Sequence, residues 1–214
     1  DDRVKALWVM GTNPAVSLPE SNRVRQALAH CPLLVVSDCM ARTDTTAYAH
    51  VLLPAATWGE RDGMVTNSER RISRQRSFRP LPGGARPDWW IISEVAKRMG
   101  YAQAFNYPGP RDIFVEYARL SGQHNDMERD FDISALGSLD QQAYDRFTPL
   151  QWPVTPAHPE GTERMFEDGR FYTASGRARF IPVQPRPAAV APCDAYPLIL
   201  NTGRVRDQWH TMTS

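Results

Sequence analysis

Several features that are common in other protein classes are scarce or missing in this sequence. Its 214 residues include only three cysteines, none of them in a C-x-x-C pair, which argues against a zinc or iron–sulfur site within the chain. An odd number of lone cysteines fits a reducing compartment better than a disulfide scaffold. No apolar run approaches the roughly 20 residues that span a bilayer, and the N-terminus lacks the layout of a signal peptide. A net charge of +1 gives no basic field, so neither nucleic acid nor a membrane is expected as a partner.

Length and composition are sufficient for a globular core. A chain of 214 residues suits one large domain or one and a half, and a hydrophobic content of 42% is ordinary for a folded protein. The chain has no initiating Met and reaches an apolar segment almost at once, so we expect a piece cut from a longer protein. Many of the 18 prolines lie after residue 148 and indicate long irregular connections there.

The first part of the chain has the pattern of a parallel sheet with helical crossovers. Short apolar runs at residues 6–10, 33–36 and 51–53 predict three buried strands. Residues 20–31 carry apolar side chains at helical spacing, and residues 43–50 predict a short helix. Apolar strands that alternate with helices are typical of the α/β class.

The middle of the chain begins with a polar stretch and continues with helices. Residues 59–87 are rich in arginine and show little periodicity. A helix that Asp88 caps and Gly100 stops is predicted next, followed by a helix over residues 112–120. The sequence Ser-Leu-Asp-Gln at residues 138–141 is typical of a capping box and predicts a further helix to about residue 147.

The last part predicts extended elements and a connector. Asp168-Gly169 between alternating residues indicates a hairpin over residues 163–173, and residues 177–183 can add a strand. Four prolines in residues 182–192 indicate an inter-domain connector. A new strand is predicted from Leu198.

Two predicted strand ends carry candidate ligand-binding residues. Asn13 lies where the first strand gives way to a helix, and backbone N–H groups at such a position can hold phosphate oxygens. Ser37 and Asp38 end the second strand, where an acidic side chain can bind ribose hydroxyls or a base edge. The alternative is that GTNP is only a good turn and that Asp38 is a solvated loop end.

Two further clusters are polar or basic. Five arginines lie between Ser68 and Pro80, and interleaved acidic residues favour a solvated, internally paired face over a nucleic-acid surface. Near the end, Trp209 and His210 could be a packing neighbour and a metal ligand, although a lone histidine in a polar loop is more often a hydrogen-bond partner.

Several stretches together resemble one family. They are GTNPAVSLPE, VVSDCMARTDTTAYAHVLLPAATWGERDGMVTNSERR, RPDWWIISEVAKRMGY and LNTGRVRDQWHTMT. These resemble the bis-molybdopterin guanine dinucleotide oxidoreductases, which include dimethyl sulfoxide reductase, formate dehydrogenase and the bacterial nitrate reductases. The segments DIFVEYARLSG, RDFDISALGSLDQQAYDRFTPLQWPV and GTERMFEDGRFYTASGRARFIPV look most like the catalytic subunit of bacterial assimilatory nitrate reductase.

The resemblance implies a division of the chain and a set of cofactor contacts. Residues 1–58 correspond to a parallel α/β cofactor-binding domain, residues 59–190 complete the molybdopterin oxidoreductase domains, and residues 191–214 begin the C-terminal dinucleotide-binding domain. The guanine edge suits a carboxylate such as Asp38 or Asp88, and phosphate oxygens suit Arg61 or Arg204. The cofactor-binding residues that the resemblance implies are Asn13, Ser37, Asp38, Arg61, Asp88, Asn201, Thr202, Gly203, Arg204, Trp209 and His210.

The resemblance also implies a reaction and its cofactors. The intact enzyme is expected to reduce nitrate to nitrite in a two-electron oxygen-atom transfer, with Mo-bis(molybdopterin guanine dinucleotide) and a [4Fe-4S] cluster. The cluster cysteines and the molybdenum ligand belong to a region outside this chain, so we assign no catalytic residue or metal ligand and expect the piece alone to be inactive. An electron-donor protein or domain and a cytoplasmic location are expected as well.

Three other assignments are weighed against this one. A formate dehydrogenase catalytic subunit has the same fold. The non-catalytic iron–sulfur subunit of respiratory complex I is disfavoured by the intact GERDG, NSERR and terminal-loop stretches. A generic α/β nucleotide-binding module explains Asn13 and Asp38 but leaves the terminal loop unexplained.

Overall fold

The structure is a computed structural model that describes residues 3–125 and 129–200. The chain divides into two compact units, Asp1–Tyr172 and Thr173–Ser214. Within the described ranges, no helix is both long and apolar enough to cross a membrane.

A parallel three-stranded sheet forms the start of the first unit. Its strands are β1 (Ala6–Met10), β2 (Leu33–Asp38) and β3 (Val51–Pro54), in the order β1-β2-β3. Helices α1 (Pro14–Ser17) and α2 (Ser21–His30) connect β1 to β2. The three predicted strands, the helix before β2 and the α/β class are therefore confirmed.

The core of this sheet lies between β1, β2 and the two helices. Val9 and Val36 are register partners and are both buried, as is Leu34. Leu28 of α2 and Ala15 of α1 pack against them. Burial of such side chains contributes about 2 kcal/mol each to folding. This packing holds the sheet in place beneath the loops that follow its carboxyl edge.

The prediction of a helix over residues 43–50 is wrong. The structure has a single 3-10 turn there, Thr46–Tyr48. Thr43 and Thr46 explain the difference, because the Thr43 N–H donates to Thr46 Oγ1 over 2.7 Å and the Thr46 N–H donates to Thr43 Oγ1 over 3.1 Å. Threonine hydroxyls that bind nearby backbone compete with helix formation.

The stretch of residues 59–87, predicted to lack regular structure, contains two strands. β4 (Gly63–Thr66) and β5 (Arg71–Gln75) are antiparallel, and β6 (Leu150–Gln151) pairs with β5. The sequence of β5 does not show the usual alternation of apolar and polar residues, because the charged residue Arg74 has a buried side chain that is paired with an acid rather than solvated.

Three helices complete the first unit. They are α3 (Asp88–Ala96), α4 (Pro110–Gly122) and α5 (Gln141–Asp145). All three were predicted, but with different starts. The capping residue of α3 is Pro87 rather than Asp88, and α5 is capped by Asp140, whose side chain accepts a hydrogen bond from the Ala143 N–H, rather than by Ser138.

A second core lies between the antiparallel strands and these helices. Its buried members are Ile72, Phe114, Ala118, Ile133, Leu136, Tyr144 and Val154.

Three extended elements predicted for the last part of the chain are wrong. Residues 163–173 form turns instead of a hairpin, and the rings of Phe166 and Phe171 stack with their centroids 4.7 Å apart. Residues 177–183 form no strand. Leu198, at 87% exposure, and Leu200, at 95%, also lie outside any strand. A strand needs a neighbouring backbone to pair with, and no described element supplies one for residues 198–200.

Candidate functional site

The carboxyl edge of the parallel sheet brings several predicted site residues to one side of the molecule. All three strands end at this edge, with Asn13 just beyond β1 and Asp38 the last residue of β2. A fourth segment extends the edge, because Ala55 and Arg86 form a parallel bridge and the Ala56 N–H donates to the Arg86 carbonyl over 2.9 Å. Asp88 follows two residues later. In open α/β sheets this edge is where ligands bind.

Asn13 is held in place by Thr45. Its Oδ1 accepts a 2.6 Å hydrogen bond from Thr45 Oγ1 and a 3.2 Å bond from the Thr45 N–H. The Thr45 hydroxyl in turn accepts from the Ala15 N–H over 3.2 Å, and Thr45 is fully buried. Because the Thr45 N–H can only donate, the amide oxygen of Asn13 faces Thr45. The Nδ2 group of Asn13 therefore has no partner among the described residues and remains available as a donor.

Ser37 and Asp38 differ in whether a side-chain oxygen remains free to bind a ligand. Ser37 is 3% exposed, and its Oγ accepts a 2.9 Å hydrogen bond from Trp8 Nε1. Asp38 is half-buried, and its Oδ1 accepts from the Met40 N–H over 2.8 Å. In the part of the chain that the structure describes, Asp38 Oδ2 has no hydrogen-bond donor. Asp38 thus offers one free carboxylate oxygen to a ligand at the edge.

Arg61 and Asp88 are paired with each other. Arg61 Nη1 lies 2.7 Å from Asp88 Oδ2, and both side chains are more than one-third exposed. Asp88 is the first residue of α3, where the helix dipole stabilises a negative charge. Among the described side chains, the second oxygen of Asp88 has no donor and the remaining N–H groups of Arg61 have no acceptor. Both groups are therefore free to bind a ligand.

A braced 3-10 turn positions Arg61. The turn covers Trp58–Glu60 and directly precedes Arg61. Thr57 and Glu60 form a reciprocal capping box in which the Thr57 N–H donates to Glu60 Oε2 over 2.9 Å. The Gln75 side-chain amide donates to the Trp58 carbonyl over 2.6 Å. These bonds tie the turn to itself and to β5.

The edge has the chemistry of a site for a polar, planar ligand. It combines an amide donor, two partly free carboxylates and a guanidinium. Among the described residues there is no group of three or more His, Cys, Asp or Glu side chains that could hold a metal ion. The other predicted site residues, Asn201, Thr202, Gly203, Arg204, Trp209 and His210, lie outside the described residues.

Two supports of the site were not predicted. The Thr57–Glu60 capping box carries the sequence signal T-x-x-E, which marks such a box. Thr45 gave no signal, because its contact with Asn13 joins residues 32 apart in the sequence.

Two arginines of the basic stretch, Arg70 and Arg74, have structural roles in this fold. Arg74 is 4% exposed, forms two hydrogen bonds with Asp62, and lies over the Tyr144 ring, with Cζ 4.0 Å from the centroid. Burial raises the pKa of Tyr144 to about 12. Arg70 donates to the backbone carbonyls of Trp152, Thr162 and Glu163.

Comparison with known proteins shows that this chain is similar to one family. Residues 1–98 match the molybdopterin oxidoreductase family. The chain is 50% identical over 210 residues to a nitrate reductase of Klebsiella oxytoca, an alignment that covers 98% of this chain and 24% of that protein. It is 37% identical over 210 residues to the F420-dependent formate dehydrogenase subunit alpha of Methanocaldococcus jannaschii, covering 98% of this chain and 29% of that protein.

A solved structure shares the fold. Acetylene hydratase from Pelobacter acetylenicus superposes with a TM-score of 0.53 at 19% identity, over 81% of this chain and 21% of the other. The chain spans about a quarter of the length of the curated relatives named above.

Proposed function

Because the chain belongs to the molybdopterin oxidoreductase family, we propose that it is the part of a molybdenum nitrate reductase catalytic subunit that holds a molybdopterin guanine dinucleotide. The observation that carries this proposal is the array of free donors and acceptors at the carboxyl edge of the sheet, on a chain that is 50% identical to a nitrate reductase. The intact protein would reduce nitrate to nitrite.

The residues at the edge fit a guanine nucleotide. The Watson–Crick edge of guanine carries an acceptor, O6, beside two donor groups, N1–H and N2–H₂. The Arg61–Asp88 pair carries the complementary arrangement, with guanidinium N–H groups beside a carboxylate oxygen. Adenine lacks the second donor group, N2–H₂, so the pair can form one hydrogen bond more with guanine than with adenine.

The remaining edge residues suit the rest of the nucleotide. The free oxygen of Asp38 can accept a hydrogen bond from a ribose hydroxyl, as an acid at a strand end does in other α/β nucleotide sites. The free Nδ2 group of Asn13 can donate to a phosphate or pterin oxygen. Asn201, Thr202, Gly203, Arg204, Trp209 and His210 are proposed to contact the pterin, on the basis of the resemblance of their loop.

The cofactor, when bound, supplies the redox chemistry at molybdenum, and the chain supplies binding and orientation. The proposal extends to a bis-guanine-dinucleotide form of the cofactor and a [4Fe-4S] cluster whose ligands lie outside this chain. It also includes an electron-donor protein or domain and a cytoplasmic location. We expect no nitrate reduction by this chain alone.

A formate dehydrogenase subunit is the second candidate. It is supported by the 37% identity to the archaeal formate dehydrogenase. The nitrate assignment is favoured because the identity to the bacterial nitrate reductase is higher, at 50%, over an equal share of this chain.

Calorimetric titration with GDP and inosine diphosphate tests the nucleotide site. Inosine lacks the N2 amino group, so the wild-type chain should bind GDP roughly 10-fold more tightly, the value of one charge-assisted hydrogen bond. Asp88→Asn should remove this preference, whereas Asp38→Asn should weaken both nucleotides alike. Asp44→Asn is the matched control, because Asp44 forms a 2.7 Å ion pair of similar exposure with Arg25. A folded chain that binds no GDP, or an Asp88→Asn variant that keeps the preference, would contradict the proposal.

A chimera tests the reaction. The corresponding segment of the Klebsiella oxytoca nitrate reductase is replaced by this chain, and nitrate reduction and formate oxidation are assayed with artificial electron carriers. A chimera that reduces nitrate and contains as much molybdenum as the parent enzyme supports the nitrate assignment. Full molybdenum content without nitrate reduction counts against it.

A further inference from the structure

Two large aromatic side chains are exposed at the turn that precedes Arg61. Trp58 is 58% exposed and Phe78 is 76% exposed. The residue between them in space is Gly59, because a Cβ atom at Gly59 would lie 2.6 Å from Phe78 Cζ. The Phe78 ring therefore lies directly on the Gly59 backbone, and the two exposed aromatics flank the same turn.

The backbone under these rings is fixed by more contacts than an ordinary surface turn. The Gly59 carbonyl accepts hydrogen bonds from the Phe78 N–H over 2.9 Å and the Arg79 N–H over 3.0 Å. The Trp58 carbonyl accepts from Gln75, and the capping box closes the turn. The turn is therefore a fixed backbone that carries two exposed aromatic rings. Such an arrangement suits a ligand with a flat, apolar face.

The turn also relates Trp58 to Arg61. The Gln75 side-chain nitrogen donates to the Trp58 carbonyl over 2.6 Å and to the Arg61 carbonyl over 3.4 Å. The two carbonyl oxygens are therefore at most 6.0 Å apart, and Arg61 follows the turn in an extended conformation. The backbone that carries the indole is therefore close to the backbone that carries Arg61.

We propose that Trp58, with Phe78 beside it, is the surface on which the guanine base stacks when its edge is bound by Arg61 and Asp88. This inference rests on the proposed function and adds a stacking subsite to it. The ligand is a purine nucleotide rather than a protein, because the neighbouring donor–acceptor pair matches a base edge.

Binding and fluorescence of two Trp58 variants test the stacking. Trp58→Ala should weaken GDP binding by roughly 5- to 150-fold, which corresponds to about 1–3 kcal/mol for the loss of one base-stacking contact. Trp58→Phe keeps a ring, so its affinity should stay within about 3-fold of the wild type. GDP should quench tryptophan fluorescence in the wild-type chain, and Trp58→Phe should lose that quench while still binding. Tyr101→Ala is the control, because Tyr101 is also 58% exposed.

The outcomes separate this inference from the proposed function. If Asp88→Asn loses the preference for GDP but Trp58→Ala binds GDP like the wild type, the nucleotide site stands and the stacking proposal is wrong. The exposed rings would then be a surface for another partner. If the folded wild-type chain binds no GDP, both proposals are overturned. Thermal unfolding of each variant, followed by circular dichroism, shows that any lost binding does not come from lost folding.

Discussion

Arg61 and Asp88 form a 2.7 Å ion pair although they lie 27 residues apart in the sequence. The pair joins the turn after β3 to the first residue of α3, and both side chains stay more than one-third exposed. Exposed pairs contribute only about 0–1 kcal/mol to stability. The pairing therefore contributes little to folding and leaves a donor and an acceptor side by side at the edge.

Arg61→Gln should weaken GDP binding strongly while it changes the stability of the fold only slightly. We expect the free energy of unfolding to fall by less than about 1 kcal/mol, since solvent screens the pair, while the Kd for GDP rises at least about 10-fold. Urea unfolding and calorimetric titration measure the two effects. Arg25→Gln is the matched control, because Arg25 has the same 2.7 Å separation from Asp44. Equal effects of the two substitutions on GDP binding would show that Arg61 has no special role.

Replacement of Thr45 should destabilise the edge of the sheet. Thr45→Val keeps the shape but leaves the Ala15 N–H without its acceptor where Thr45 is fully buried, while Asn13 Oδ1 keeps only the bond from the backbone N–H at position 45. The expected cost is about 2 kcal/mol, the desolvation penalty of one unpaired polar group. Thr45→Ser keeps the hydroxyl and should cost only about 1 kcal/mol for the lost methyl group. Urea unfolding that ranks the serine variant below the valine variant would refute this account of the contact.

Two glycines with the same backbone requirement should respond differently to alanine. Gly161 and Gly169 both have positive φ, +87° and +70°. A Cβ atom at Gly161 would lie 2.5 Å from the Gln151 carbonyl oxygen, whereas at Gly169 it meets nothing within 4 Å. Gly169→Ala should cost about 1 kcal/mol for the left-handed conformation alone, and Gly161→Ala about 3 kcal/mol because the backbone must also move. Thermal unfolding compares the two, and equal melting temperatures would contradict the steric argument.

Local sequence patterns predicted the first part of the fold well. The three parallel strands and α2 have apolar side chains at regular spacing, and a period of 2 or 3.6 is visible without knowledge of distant contacts. The carboxyl edge followed from this, because parallel strands that end together bring Asn13 and Asp38 to one side. The helices at α3 and α4 were predicted for the same reason.

The elements that the sequence did not predict depend on contacts between distant residues. β5 was missed because Arg74 is a buried charge whose partners, Asp62 and the Tyr144 ring, lie 12 and 70 positions away. The pairing of Arg61 with Asp88 was not predicted either, although both were named as cofactor contacts. Strands predicted after residue 163 failed because β propensity alone does not provide a neighbouring strand.

The buried phenol of Tyr144 should make stability depend on pH in the alkaline range. Burial raises the pKa of Tyr144 from about 10 in the unfolded chain to about 12 in the folded state. The folded state therefore favours the neutral phenol. The contribution of Tyr144 to the free energy of unfolding is fully present below about pH 10. It is lost as the pH rises toward 12, because the phenol ionises at a lower pH in the unfolded chain than in the folded chain.

Comparison with Tyr144→Phe isolates this effect. Tyr144 is 1% exposed, and its hydroxyl has no hydrogen-bond partner among the described residues. Removal of an unsatisfied buried hydroxyl should be neutral or stabilising at pH 8. Between pH 9 and pH 11 the wild-type chain should lose about 1 kcal/mol more unfolding free energy than the variant. Tyr117→Phe, which changes a tyrosine that is 53% exposed, should follow the wild type. Urea unfolding curves measure all three chains, and parallel pH profiles for the wild type and Tyr144→Phe would mean that Tyr144 ionises in the folded state at its ordinary pKa.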